Sequence, residues 1–155
     1  MSLEDDIEVL RNVAFFEGFT EEHLKLIAFS AEGRSLPERL LLYDEGQLMH
    51  SAYVLVSGTM NGEKKPKGDE VPVKRQILPG SILGERALIL DTRASESVRV
   101  QDRARVLQIR KAMFRRLLEE YPEIALAIRS RLSRGVVQAA AEFARAGRKI
   151  GALDG

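Results

Sequence analysis

Between residues 31 and 110 the chain is punctuated by turn residues about every ten positions, and the intervals are rich in β-branched and aromatic side chains. "RLLLYDEGQ" reads as a strand ending in a turn at Gly46. "SAYVLVSGTM" reads as a strand that turns at Gly58. "NGEKKPKGDE" (61–70) is a polar loop, and "VPVKRQILPGS" is a further strand with a turn behind it. "SVRVQDRARVLQIR" predicts two strands around Gln101 and Asp102, because Val98 and Val100 alternate with charge, as do Val106 and Gln108 with their neighbours. Many short strands at this spacing predict a small barrel or sandwich.

Helical periodicity flanks this region. Leu3, Ile7 and Leu10 recur at helical spacing among acids. Gly18 breaks the pattern, and Thr20 caps a second helix whose first turn carries Glu21 and Glu22, where the macrodipole favours acids. After residue 110, Met113, Phe114, Leu117 and Leu118 form one face. Pro122 suits a first helical position. Ile124, Ile128, Leu132, Val136 and Ala140 then recur every four residues. The expectation is one domain over 1–155: helices over 3–30, barrel over 31–110 and C-terminal helices over 111–148. No internal repeat or linker interrupts it.

Composition narrows the chemistry. The chain has no cysteine, so disulfides, thiolate metal sites, iron–sulfur clusters and cysteine nucleophiles are excluded. Its two histidines, His23 and His50, are far apart in sequence, and the expectation is no metal or cofactor and no enzyme. The formal net charge is +1, low for a domain held permanently on nucleic acid. No apolar run approaches the ~20 residues of a membrane span, so the expected location is cytoplasmic. Arg129, Arg131, Arg134, Arg145, Arg148 and Lys149 face one acid, Glu142, in the last helix; this reads as a solvated basic face rather than a nucleic-acid site.

The segment "GERALILDTRASESV", Gly84 to Val98, carries one acid and one arginine eight positions apart around an apolar stretch. Glycine in front of a short helical turn lets a ligand approach the backbone closely. A carboxylate at Glu85 can accept from a sugar hydroxyl. A guanidinium at Arg93 presents a planar fork to phosphate oxygens. Such a pair suits a ligand with a hydroxyl on one side and an anion on the other, as in a ribose fused to a cyclic phosphate.

The same segment resembles the phosphate-binding cassette of the cyclic-nucleotide-binding domain family, Gly84-Glu85-Arg86-Ala87-Leu88 followed by Arg93-Ala94-Ser95. "LLLYDEGQ", "YVLVSGTM", "LPGSILGE" and "MFRRLLEEYPEI" resemble the family's other landmarks in order. The resemblance implies a mainly β fold, a jelly-roll barrel with N-terminal helices and a long C-terminal helix. It implies that Glu85 binds the ribose 2′-hydroxyl and Arg93 the cyclic phosphate. Backbone amides near Gly84, Ala87 and Ala94 would complete the phosphate site, with Arg86 and Ser95 beside it. Ala94 stands where cGMP-selective members often place a threonine, which leans toward cAMP. The segment departs from the pattern at Arg86, at Thr92 and at Glu96, where a second acid would face the phosphate.

The expected role is therefore a cyclic-nucleotide-binding regulatory module without a DNA-binding output domain, dimeric through residues 124–143. The alternative is a ligand-free structural or interaction protein of the same fold, acting through its C-terminal helix.

Overall fold

A computed structural model describes residues 2–130 of the chain. Two compact units are distinguished, Met1–Leu117 and Leu118–Gly155. In the second, residues 122–130 are helical, starting at Pro122 as expected. Most of the proposed dimer stripe (124–143) and of the basic face, from Arg131 onward, lies outside the described residues.

The first unit opens with α1 (Leu3–Arg11), a 3-10 turn (Ala14–Phe16) and α2 (Glu21–Ser30). Thr20 caps α2 as its sequence implies, its hydroxyl accepting from the His23 amide at 3.2 Å. The Asp6 carboxylate on α1 accepts from Arg105 Nη1 at 2.8 Å, tying the helix to the sheet.

Six strands follow: β1 (Glu32–Leu36), β2 (Leu41–Tyr43), β3 (Ser51–Lys64), β4 (Val73–Ile77), β5 (Ile82–Leu83) and β6 (Ser97–Arg110). They form one antiparallel sheet in the order β1-β6-β3-β4, with β2 also on β6 and β5 also on β3. The jelly roll is built around the long β3–β6 ladder, which runs from Ser51↔Arg110 to Glu63↔Ser97. Its core holds Leu36, Leu55, Met60, Ile77, Leu83, Val98, Val100, Ala104 and Val106, all buried. α3 (Lys111–Glu120) leaves the end of β6 and buries Phe114 and Leu117. Among the described residues no helix is long and apolar enough to cross a membrane.

The sequence expectations for two strands are corrected here. Gly58 does not end a strand; β3 continues through it to Lys64, so Asn61–Lys64 are strand and not loop. Segment 97–110 is one strand, not two. The reason is common to both. Gly58 (φ 85°) sits where the β3–β6 register shifts, between Leu55/Ser57 and Thr59/Met60. The apparent turn signals on both strands are absorbed by a bulge, which bends the ladder without breaking it.

Candidate functional site

β5 is only two residues long, yet it sets the site by pairing with Tyr53 and Val54 of β3. Gly84 follows with φ 72°, a backbone that side-chain-bearing residues rarely adopt. A Cβ at Gly84 would also lie 2.9 Å from Met49 Cε and 3.2 Å from the Ser51 carbonyl oxygen. Glycine thus turns the chain sharply off the sheet into a second 3-10 turn, Glu85–Leu88. Ala87 and Leu88 are buried and anchor that turn, leaving Glu85 and Arg86 at the surface side.

The chain returns along residues 46–49. The Met49 amide donates to the Thr92 carbonyl at 2.9 Å, the Ala94 amide to Gln47 at 2.8 Å and the Gly46 amide to Ala94 at 2.8 Å. At the outer bend, Lys111 Nζ donates to Asp91 Oδ1 at 2.5 Å. That ammonium, and the hydrogen bond it makes, hold the Asp91 carboxyl below the usual carboxylate range.

These tethers enclose a cavity of about 500 Å³, within the range of small-molecule sites. Gly84, Glu85, Arg86, Arg93, Ala94 and Ser95 all line it, together with Tyr43, Met49, Thr92, Arg75 and Glu96. Glu85 and Arg93 therefore face one space. Arg93 Nη1 donates to the Gly46 carbonyl at 3.0 Å.

Ala87 is a core residue that does not line the cavity, and its amide donates to the Gly84 carbonyl at 2.9 Å. The Ala94 amide is likewise engaged by Gln47. In this structure both amides are engaged within the chain, that of Ala87 inside its own 3-10 turn and that of Ala94 by the neighbouring segment 46–49.

Glu96 does not present an open charge. It is buried, and Arg75 on β4 donates to both of its oxygens through Nε, at 2.9 and 3.0 Å. The hydrogen bond to Glu96 holds the Arg75 guanidinium above its ordinary value. Sequence reading missed Arg75, although one signal was available. It shares strand parity with the buried Ile77, so it points to the same face of β4.

Tyr43, 6% exposed, stacks on Tyr53 with ring centroids 6.1 Å apart. Burial, reinforced by the nearby Glu96 carboxylate, pushes its phenol far above the ordinary tyrosine value of 10.0. A raised folded-state value means the neutral phenol contributes stability in full below pH ~10, and that contribution is lost as the pH climbs above it. The tyrosinate absorbance of the wild type, minus that of Tyr43→Phe, should accordingly rise only well above pH 10 and together with loss of circular dichroism. Ionisation of Tyr43 near pH 10 in an intact fold would contradict this.

The chain matches the family model described as "cyclic nucleotide-binding domain" over residues 33–121. A cyclic nucleotide-binding-like protein from Brucella abortus is 41% identical, with 74% of this chain and 98% of that one covered and a TM-score of 0.66. The N-terminal domain of a transcriptional regulator from Streptomyces coelicolor superposes with a TM-score of 0.80 at 18% identity, covering 87% of this chain and 94% of that one. The regulatory domain of Toxoplasma gondii PKA, solved with cAMP, superposes with a TM-score of 0.69 at 17% identity, covering 88% of this chain and 50% of that one. No curated protein matches significantly. A family match across more than half of the sequence, a close relative spanning most of it and the jelly roll around this cavity agree: the chain belongs to the cyclic nucleotide-binding domain family.

Proposed function

We propose that the chain is a cytoplasmic regulatory module that binds a 3′,5′-cyclic nucleotide, with Glu85 accepting from the ribose 2′-hydroxyl and Arg93 donating to the cyclic phosphate. The observation that carries the reading is that these two side chains line one cavity of about 500 Å³. Binding would exchange the neutral Gly46 carbonyl on Arg93 for an anionic oxygen, and a charge-assisted bond is the stronger of the two. On this side of the cavity the Ala94 methyl offers nothing to a guanine amino group, which favours cAMP there. No catalytic step is part of the proposal.

Calorimetric titration with cAMP and cGMP tests it. Ligand at 100 times Kd should add ~2.7 kcal/mol of stability. Arg93→Ala should lose ~1.5–3 kcal/mol for each charge-assisted bond removed, which is about ten- to 150-fold in affinity. Unchanged affinity in that variant would place the ligand elsewhere. A second reading, a ligand-free interaction protein, is favoured by the internal engagement of Arg93 and of the Ala94 amide. It is the correct one if millimolar cAMP and cGMP leave the melting temperature unmoved.

A further inference from the structure

Among the described residues, the charged side chains that line the cavity are Arg75, Glu85, Arg86, Arg93 and Glu96. Arg75 and Glu96 are joined by hydrogen bonds at 2.9 and 3.0 Å, and their charges cancel beyond that contact. Glu85 and Arg93 face the same space with opposite signs, so they largely offset each other for an ion still outside. Arg86 is what remains. With three guanidiniums against two carboxylates, it is the residue that makes the lining cationic.

Its placement suits action at a distance rather than a fixed contact. Arg86 is exposed on the Glu85–Leu88 turn. Its side chain makes no hydrogen bond or ion pair among the described residues, whereas Arg93 is held by the Gly46 carbonyl and Arg75 by Glu96. Only its backbone is anchored: the Arg86 carbonyl accepts from the amides of Ile89 at 3.1 Å and Leu90 at 2.8 Å. The rim of the cavity therefore carries a mobile positive charge on a fixed base. Backbone donors do not substitute for it, since the Ala87 and Ala94 amides meet the Gly84 and Gln47 carbonyls.

We propose that Arg86 is the steering residue of this site: it draws the anionic ligand in and sets the rate of association, and it takes no part in holding the ligand once bound. The proposal rests on the cyclic-nucleotide reading. A 3′,5′-cyclic phosphate carries a negative charge throughout its approach. A charge on the rim of a site alters association and its salt dependence, whereas a group that holds a desolvated partner alters dissociation. Losing Arg86 would leave the lining neutral to an approaching ion, with Glu85 and Arg93 still in place to bind it.

Stopped-flow mixing of the full chain with cAMP or cGMP bearing a fluorophore on base carbon 8 separates the two rate constants. Arg86→Gln should lower the association rate constant about threefold, as for one unit charge removed at ~6 Å in water. Its dissociation rate constant should stay within about 1.5-fold of the wild type, as for a rim charge. Arg86→Glu should lower association about tenfold, because the sign reverses. Arg86→Lys should match the wild type, since steering needs a charge and not a planar fork. In about 1 M salt, where the Debye length is ~3 Å, all four proteins should associate at rates within about 1.5-fold of one another. A change confined to dissociation, slowing by Arg86→Lys as large as that by Arg86→Gln, or equal association of Arg86→Gln and wild type at low salt overturns this inference and leaves cyclic-nucleotide binding standing. Failure of the wild type to bind either probe, or its unlabelled parent in calorimetry, overturns both.

Discussion

Alanine in place of Gly58 is expected to destabilise the jelly roll by about 3 kcal/mol or more. The residue has φ 85°, and a Cβ there would lie 2.3 Å from the Arg103 carbonyl oxygen and 2.7 Å from Ala104 Cα. Both are backbone atoms of the paired strand, so no rotamer change relieves the collision. The left-handed backbone alone costs a side-chain-bearing residue ~1–2 kcal/mol, and the clash adds to it. Relief would require the bulge to open, which unpairs β3 from β6 where the ladder bends. Urea denaturation measures the effect, as a fall in midpoint at constant slope. A loss below ~1 kcal/mol would mean the bulge is not fixed in the register described.

Phe114→Ala is the second large effect, a loss of about 3–5 kcal/mol. Phe114 is 0% exposed. Its ring lies 6.5 Å from that of Phe15, which meets Phe16 edge-on at 5.3 Å, and Phe16 continues to Phe19 at 5.4 Å. This aromatic series joins α3 to the 3-10 turn Ala14–Phe16. Truncation leaves a hole that two separate elements would have to collapse to fill, hence the high end of the range. Phe114→Leu keeps much of the volume and should cost less than ~1.5 kcal/mol. Equal midpoints for the alanine variant and the wild type would show that α3 is not held by this ring.

Helices α1, α2 and α3 and the barrel limits were legible in the sequence because their signals are local. Thr20 before two acids caps α2, and Val98 and Val100 alternate with charge along β6. Glu85 and Arg93 were legible as site candidates because glycine and small residues surround them. What was not legible depended on partners far away in sequence. Gly58 reads as a turn unless Arg103 is known to lie across from it. Glu96 reads as an open negative charge unless Arg75, 21 residues earlier, is known to meet it in the notch left by Gly62. Ala87 and Ala94 read as phosphate donors; that their amides meet the Gly84 and Gln47 carbonyls here depends on how the loop closes on its neighbours, which a motif does not record.

The topology carries one more consequence. Residues 65–96 hold β4, β5, the Glu85–Leu88 turn and the charged groups Arg75, Glu85, Arg86, Arg93 and Glu96, and all of this is looped out between two 14-residue strands that pair with each other. Such an excursion gains its shape only once its two stems are zipped together, so no excised peptide spanning residues 65–96 can reproduce it. On the proposed reading, nucleotide binding would double as an assay of stem closure: any change that unzips β3 from β6, however remote from the pocket, should extinguish it.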